Sequence, residues 1–240
     1  MYELYYYNGT WWGNDLTAAT NGPTENGGLS SFFDGNIEHV FYTSATDNHL
    51  HELYYNGRWW GNDLTVAANA PFPNIVASLT SFFDGSVEHV FYISDGDYHV
   101  HELFNNGTWH DNDLTADTNG PIADISPSGN GQLTSFFDGS VKHVFYISFP
   151  DFHVRELYYN GAWWGNDLTA DTNGPAADSR SELTSFFDGG AEHVFYIGSA
   201  DLHVRELYYN GRWWRNDLTA DTKSPHDYYP FPYLTSFVRP

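Results

Sequence analysis

The stretch HELYYNGRWWGNDLT, which runs from His51 to Thr65, recurs along the chain with small changes. Its glutamate falls at Glu3, Glu52, Glu102, Glu156 and Glu206. The spacing of about 50 residues is close to the period of a four-stranded β-propeller blade. Because each repeat carries similar side chains, any site built from one repeat is expected several times in the chain.

Each repeat contains the signals of four short strands. In one copy, Leu79 to Phe83 predicts a first strand that ends at an Asp-Gly turn, and His89 to Ile93 predicts a second. A third strand is predicted from His99 to Phe104, and a fourth follows from Thr108 and ends near Asn112 to Thr115. No sustained helical period interrupts this pattern. The sequence therefore predicts an all-β fold, a five-bladed β-propeller.

The predicted propeller is a single domain over residues 1–240. Its repeats are expected at approximately 1–28 plus 229–240, 29–78, 79–132, 133–182 and 183–228. The Leu-Thr-Ser-Phe strand occurs five times, the last from Leu234 to Phe237, whereas the His-Val-Phe-Tyr strand occurs four times. The closing blade, shared by both termini, is therefore expected to lack one strand. A three-stranded blade, a truncated or designed chain and a partner that completes the blade all fit this count.

Composition excludes several classes of function. The formal net charge is −22, and only nine residues are Lys or Arg. Binding to nucleic acid or to anionic membranes needs clustered cations, so neither is expected. The chain has no Cys, no apolar run long enough to span a membrane, and no visible signal peptide. These features favour a cytoplasmic or non-classically released protein without membrane insertion, and a homo-oligomer is compatible with them.

Polar and aromatic residues recur at fixed positions of the repeat. A histidine begins the second strand, the glutamate lies on the third, and a Tyr-Asn-Gly-x-Trp-Trp cluster follows. A carboxylate among aromatic residues is costly to bury without partners, so it either has structural hydrogen bonds or contacts a ligand. One Trp of each pair is expected in the core and the other at the surface. An exposed ring beside hydrogen-bonding groups suits a sugar.

This order of residues resembles the fucose-binding lectin propellers of fungi and bacteria, of the Aleuria and Ralstonia type. In that family, an Arg on the second strand and a Glu on the third contact the sugar, and aromatic residues of the neighbouring blade stack on it. The resemblance implies four sugar-binding groups here: His39 and Glu52; His89, Glu102, Tyr159 and Trp164; His143, Glu156, Tyr209 and Trp214; His193, Glu206, Tyr7 and Trp12.

The chain departs from that pattern because His stands where the family has Arg. An imidazole offers fewer donors than a guanidinium, so a monosaccharide other than fucose fits as well. Asn105 and His110 replace the Tyr and Trp that would complete the group of His39 and Glu52. The closing blade has Glu3 but no His. Three good sites are therefore expected.

The favoured function is that of a multivalent lectin for a terminal monosaccharide. The alternative is a non-catalytic structural or protein-interaction propeller, including a designed or truncated repeat protein. An enzyme is not expected, because glycoside hydrolysis needs two positioned carboxylates at one site and no nucleophile motif is visible.

No cofactor or metal is expected. The Asp-rich turns match no calcium loop and are read as turns. His99 and His101 share a strand face and could bind a transition metal, but Arg155 and Arg205 replace the second His in later copies.

Overall fold

The computed structural model of the chain describes residues 1–125, 131–224 and 234–236. Within them, four sheets each contain four antiparallel strands, and a separate hairpin contains two. We call the sheets the first to fourth blades in chain order. The hairpin is β1 (Tyr2–Tyr7) and β2 (Thr10–Asp15), and the first blade is β3 (Glu25–Phe33), β4 (Glu38–Ser44), β5 (Leu50–Tyr55) and β6 (Trp59–Asp63). The second is β7 (Thr80–Phe83), β8 (Glu88–Ile93), β9 (Val100–Asn105) and β10 (Trp109–Asp113); the third is β11 (Leu133–Phe137), β12 (Lys142–Ile147), β13 (Val154–Tyr159) and β14 (Trp163–Asp167); the fourth is β15 (Thr184–Phe187), β16 (Glu192–Ile197), β17 (Val204–Tyr209) and β18 (Trp213–Asp217).

The first strands of successive blades lie side by side. Hydroxyl pairs join them: Ser30 to Ser81, Thr80 to Ser135 and Thr134 to Ser185, with oxygen–oxygen distances of 2.7, 2.7 and 2.8 Å. The series continues where Thr184 meets Ser236 at 2.7 Å. Residues 234–236 therefore lie beside the fourth blade as the next first strand would. The all-β prediction and the four-stranded repeat are confirmed. Residues 229–233 and 237–240 of the predicted closing repeat, Phe237 among them, lie outside the described residues, as do residues 225–228 of the repeat before it.

The turn between the first and second strands is set by an Asp-Gly pair. In the second blade, Asp84 accepts hydrogen bonds from the backbone N–H groups of Ser86 and Val87 at 2.9 and 2.7 Å. Gly85 has a φ of +95°, which a residue with a Cβ rarely adopts. The tight turn fixes the position at which the histidine of the second strand begins.

The second strand is the most deeply buried strand of each blade. Phe41, Phe91 and Phe145 have no exposed surface, and Tyr92 is almost fully buried. The Tyr92 hydroxyl donates to the carbonyl of Pro71 at 3.1 Å, and equivalent bonds occur in the other three blades. The buried tyrosine thus ties the loop between blades to the blade core, because its hydroxyl must find a partner inside.

A short helix that the sequence analysis did not predict follows each fourth strand. The helices are α1 (Leu16–Thr20), α2 (Leu64–Ala68), α3 (Leu114–Thr118), α4 (Leu168–Asp171) and α5 (Leu218–Thr222). Each begins after an Asp whose side chain accepts an N–H bond from the first turn, as an N-cap does. A helix of a single turn is too short to show helical periodicity, so the sequence pattern here predicts the end of a strand instead. None of the helices in the described segments is long and apolar enough to cross a membrane.

The helices and aromatic edges connect each blade to the next. The helices α1, α2 and α3 pack on the fourth strands of the following blades, β6, β10 and β14. The first Trp of the Trp-Trp pair meets a buried Phe of the preceding blade edge-on; Trp163 and Phe91, for example, have ring centroids 6.3 Å apart. These contacts leave a cleft between neighbouring blades, which we call an interblade cleft.

Candidate functional site: the interblade clefts

A histidine–glutamate pair lies at the base of each blade's cleft face in the four blades. In the second blade, His89 Nδ1 donates to Glu102 Oε1 at 2.7 Å, and Asn112 Nδ2 donates to Glu102 Oε2 at 3.1 Å. Strand pairing sets this geometry, since Asn112 lies directly opposite Glu102. The same pair joins His39 to Glu52, His143 to Glu156 and His193 to Glu206 at 2.7, 2.8 and 2.8 Å.

The glutamate is therefore held by its own blade. Glu52, Glu102 and Glu156 are at most 3 % exposed. In the hairpin, where no His is present, Asn14 Nδ2 still donates to Glu3 Oε2 at 2.8 Å. A buried carboxylate with two or three donors is stabilised in its charged form. The glutamate orients the histidine and the cleft floor, and few of its lone pairs remain for a ligand.

The residue before each histidine reaches into the preceding cleft. Lys142 Nζ lies 3.0 Å from Glu102 Oε1, so the cleft between the second and third blades contains an ion pair. At the same position, Glu88 Oε2 lies 3.7 Å from His39 Nδ1 and Glu192 Oε2 lies 3.3 Å from His143 Nδ1. One cleft thus has a lysine where two others have a second carboxylate.

These charges shift the pKa values of the floor residues. Burial, together with the nearby Glu52 and Glu156 respectively, raises the pKa of Glu88 and that of Glu192 to about 7. Burial opposes the charged form of His143 too, but the Glu156 hydrogen bond and the facing carboxylates outweigh it and raise the pKa of that histidine. Burial likewise opposes ionisation of Glu102, yet His89 and Lys142 hold the pKa of Glu102 below its ordinary value.

Aromatic residues of the following blade form the other wall. In the cleft between the second and third blades, Tyr159 and Trp163 face Lys142, whose Nζ lies 4.4 and 5.1 Å from their ring centroids. The cleft has a volume of about 540 Å³, and Asn112 and Asp117 lie on its polar side. This volume is within the range of small-ligand sites.

Two further clefts repeat the arrangement. Between the third and fourth blades, a space of about 780 Å³ lies against Asn166, Asp171, Tyr209, Trp213 and Trp214.

Between the hairpin and the first blade, a space of about 730 Å³ lies against Asn14, Asp15, Tyr55, Trp59 and Trp60. The same polar and aromatic residue types therefore meet in three clefts.

The second Trp of each pair stands at the cleft mouth. Trp164 is 56 % exposed, whereas Trp60 and Trp214 are 38 % and 39 % exposed. The guanidinium groups of Arg58 and Arg212 lie 3.5 Å from the ring centroids of Trp60 and Trp214. Ala162 occupies the equivalent position beside Trp164, so that ring has no such cover. The expectation that the second Trp is the more exposed one holds for the three Trp-Trp pairs of the blades, but in the hairpin Trp11 and Trp12 are both exposed.

The structure brings three residues of one predicted sugar-binding group together and places two residues of another in the next cleft. His89, Glu102 and Tyr159 line the same space, and Tyr209 and Trp214 line the next. The ring that pairs with Tyr159 across the strands is Trp163, with centroids 5.4 Å apart, and Trp164 lies opposite Tyr158. The cleft wall therefore consists of Tyr159 and Trp163, with Trp164 outside them.

The group predicted from His193, Glu206, Tyr7 and Trp12 is not assembled among the described residues. No hydrogen bond, ion pair or ring contact of the described chain joins Tyr7 or Trp12 to that blade. The hairpin register places Tyr6 opposite Trp11, as Tyr159 lies opposite Trp163. The hairpin is one residue pair longer, because Tyr7 pairs with Thr10 beyond Tyr6 and Trp11. Tyr6 is therefore the equivalent of Tyr159, and the assignment of Tyr7 to that position was one residue too far along the chain.

The structure also shows the group of His39 and Glu52, for which weak sugar binding is expected. Asn105 and His110 lie where the other blades have Tyr and Trp, and the His110 ring stacks on Phe104 with ring centroids 5.1 Å apart.

The sequence analysis did not identify the charged residues Glu88, Lys142 and Glu192, or the Asn of the fourth strand, as parts of the clefts. Their signal was available, because a charged residue precedes each repeated histidine and Asn precedes each helix-capping Asp.

No family model and no curated protein matches the chain. Solved structures are similar to the chain at low identity. A GH62 α-L-arabinofuranosidase from Coprinopsis cinerea is 15 % identical with a TM-score of 0.47, over 79 % of this chain and 67 % of the other. An exo-β-1,3-galactanase from Phanerochaete chrysosporium is 12 % identical with a TM-score of 0.49, over 82 % and 51 %. A family 117 glycoside hydrolase from Zobellia galactanivorans is 11 % identical with a TM-score of 0.48, over 88 % and 73 %.

These similarities correct one expectation from the sequence. The chain was expected not to be an enzyme, yet the similar folds named above belong to glycoside hydrolases. That exclusion was wrong: it assumed that no site holds two positioned carboxylates, whereas Glu156 and Glu192 of neighbouring blades meet at His143. At such identities the likeness concerns the fold and assigns no activity. The chain spans about half to three quarters of the length of those proteins.

Proposed function

We propose that the chain recognises glycans in its interblade clefts, with the same kind of site repeated around the molecule. The observation that carries the proposal is the cleft between the second and third blades. Tyr159 and Trp163 lie there on one side of a concave space, and Lys142 and Asn112 lie on the other.

The chemistry of this cleft suits a sugar ring. An aromatic face packs against the C–H face of a pyranose, while lysine and amide groups donate hydrogen bonds to its hydroxyls and Asp117 accepts them. The buried Glu102 holds His89 and Lys142 in place. In the next cleft, His143 Nε2 lies buried without a hydrogen-bond partner among the described residues and offers a further polar contact. A terminal monosaccharide, fucose or a related sugar, is the proposed ligand, in line with the resemblance to fucose-binding propellers.

We further propose that the hairpin and residues 234–236 belong to a fifth blade of a closed propeller. Ser236 beside Thr184, and the packing of α1 on β6, support this arrangement. Several equivalent clefts on one rigid ring would raise the avidity for a surface that displays many copies of one sugar.

The proposal is tested with a printed glycan panel probed by the labelled wild-type chain and two variants. Tyr159→Ala removes a ring of the cleft wall, and Tyr159→Phe keeps an aromatic face. Loss of a stacked ring costs about 1–2 kcal/mol, or roughly 5- to 30-fold in affinity at that cleft. Binding to one terminal sugar that falls in the alanine variant and returns in the phenylalanine variant supports the proposal.

Two outcomes count against it. A folded chain that binds no glycan on the panel would favour the alternative of a protein-interaction propeller. Release of free sugar from a bound glycan, measured as new reducing ends, would instead show a hydrolase that acts on glycans. In that case Glu156→Gln and Glu192→Gln would reveal whether the paired carboxylates take part.

A further inference from the structure

A second set of repeated polar side chains lies outside the interblade clefts. It lies where the turn before the third strand meets the end of the fourth strand. In the first blade it comprises Asp47, His49, His51 and Asp63, and each offers one ligand atom within 4.8 Å of the others. His49 Nδ1 lies 2.7 Å from Asp63 Oδ2, and His51 Nε2 lies 3.1 Å from Asp47 Oδ2.

The second blade repeats the same set as Asp97, His99, His101 and Asp113. His99 Nδ1 lies 2.8 Å from Asp113 Oδ2 and 3.7 Å from Asp97 Oδ2. His101 is only 3 % exposed, and its Nε2 has no hydrogen-bond partner among the described residues. We call these two sets the His–Asp clusters.

The local fold presents these side chains in one direction. The first histidine directly precedes the third strand and the second lies on it, and their rings stack with centroids 6.1 Å apart in the first blade and 6.5 Å apart in the second, so both face the same side. The Asp at the end of the fourth strand uses Oδ1 to cap the helix, as Asp63 does with the N–H of Val66 at 3.0 Å. Its Oδ2 is thereby turned toward the histidines.

In the third and fourth blades, a positively charged side chain stands at the position of the second histidine. There an arginine replaces the second histidine, and its guanidinium joins the two aspartates. Arg155 bonds Asp151 and lies 2.8 Å from Asp167 Oδ2, while Arg205 bonds Asp201 and Asp217 in the same way. In the first two blades, an imidazole takes the place of the arginine beside the same pair of carboxylates.

We propose that each His–Asp cluster binds a divalent transition metal of the zinc type, at the position that the arginine guanidinium occupies in the other two blades. Two imidazoles and two carboxylates are a ligand set that Zn²⁺ accepts in tetrahedral geometry. The inference is independent of glycan recognition, since the clusters lie outside the sugar-binding groups.

The dimensions suit such an ion. Ligand atoms around a tetrahedral zinc lie roughly 3.3–3.5 Å apart, given metal–ligand bonds of about 2.0–2.2 Å. In the first cluster, His51 Nε2 lies 3.1 Å and His49 Nδ1 lies 4.0 Å from Asp47 Oδ2. Small side-chain rotations therefore complete the shell. Each neutral imidazole then carries its proton on the ring nitrogen that does not bind the metal.

The test is titration of the metal-stripped full chain with Zn²⁺, followed by isothermal calorimetry. The wild type is expected to bind two equivalents. The variant H51R/H101R places in the first two blades the arginine that the third and fourth already contain, so it should fold and should lose both equivalents. Circular dichroism confirms that the variant is folded.

A gain of binding provides the converse test. Arg155→His rebuilds the full ligand set around Asp151, His153 and Asp167, and is expected to add a third equivalent. The proposal is overturned if the wild type shows no saturable Zn²⁺ binding, or if the stoichiometry is the same in the wild type and in folded H51R/H101R. Loss in H51R/H101R together with gain in Arg155→His supports it.

Discussion

Replacing Glu192 by Gln should stabilise the protein at alkaline pH and have little effect at acid pH. Glu192 is 8 % exposed, and its Oε2 lies 3.3 Å from His143 Nδ1, which already donates to Glu156. Above neutral pH, two carboxylates then share one imidazole in a buried cleft. A neutral amide of the same shape removes the second charge and offers Glu156 a donor.

The magnitude follows from the pKa of Glu192. Burial, opposed in part by His143, raises this pKa from 4.5 to about 7. A group whose pKa is higher in the folded state stabilises the fold below its unfolded pKa, and that contribution is lost as the pH rises through the folded value. The loss between pH 4.5 and pH 7 therefore amounts to about 2–4 kcal/mol at 1.36 kcal/mol per pKa unit. The raised pKa of His143 acts in the same direction.

Denaturant unfolding at pH 5 and pH 8 measures the effect. The free energy of unfolding of Glu192→Gln should exceed that of the wild type by about 2–3 kcal/mol at pH 8 and by less than about 1 kcal/mol at pH 5. Glu38→Gln is the matched control, because Glu38 holds the same strand position in the first blade but is exposed. An equal difference at both pH values, or a less stable variant at pH 8, would refute the reasoning.

Three further expectations concern stability and binding. Lys142→Met should lower the free energy of unfolding by about 2–4 kcal/mol, because it leaves the buried Glu102 without its cation. Denaturant unfolding measures this effect, and Lys223→Met at an exposed helix end is the control. Thr115→Val should cost about 1–3 kcal/mol in the same assay, since the N–H of Val100 donates to Thr115 Oγ1 at 2.9 Å and would lose its partner. The pair Asn105→Tyr and His110→Trp should add sugar binding in the cleft between the first and second blades, and an unchanged sugar stoichiometry in calorimetry would contradict the account of that cleft.

Much of the fold could be predicted from the sequence, because each repeat contains local signals for strands and turns. Asp84-Gly85 ends the first strand, and the continuous run of β-branched and aromatic residues from Val90 to Ile93 defines the second. The short helices were missed because a single turn after a strand has no period of its own. Their capping residue, Asp113 in the second blade, had been read as the end of a strand.

The candidate site could be predicted from the sequence only in part, because residues of two neighbouring blades form it. The sequence identified His89 and Glu102 as partners in one cleft, but sequence order alone does not show that Lys142 from the next blade reaches Glu102. Strand register also decides which ring faces the cleft. Trp163 and Trp164 are neighbours in sequence, and only pairing with Tyr159 shows that the first one lines the wall.

The measurement that tests glycan recognition most directly is a crystal structure of the chain with the sugar that the glycan panel selects. The account predicts the sugar ring in the cleft between the second and third blades, packed on the wall of Tyr159 and Trp163 and within hydrogen-bond distance of Lys142 or Asn112. A sugar bound elsewhere, with that cleft free of it at saturating concentration, would contradict the central claim.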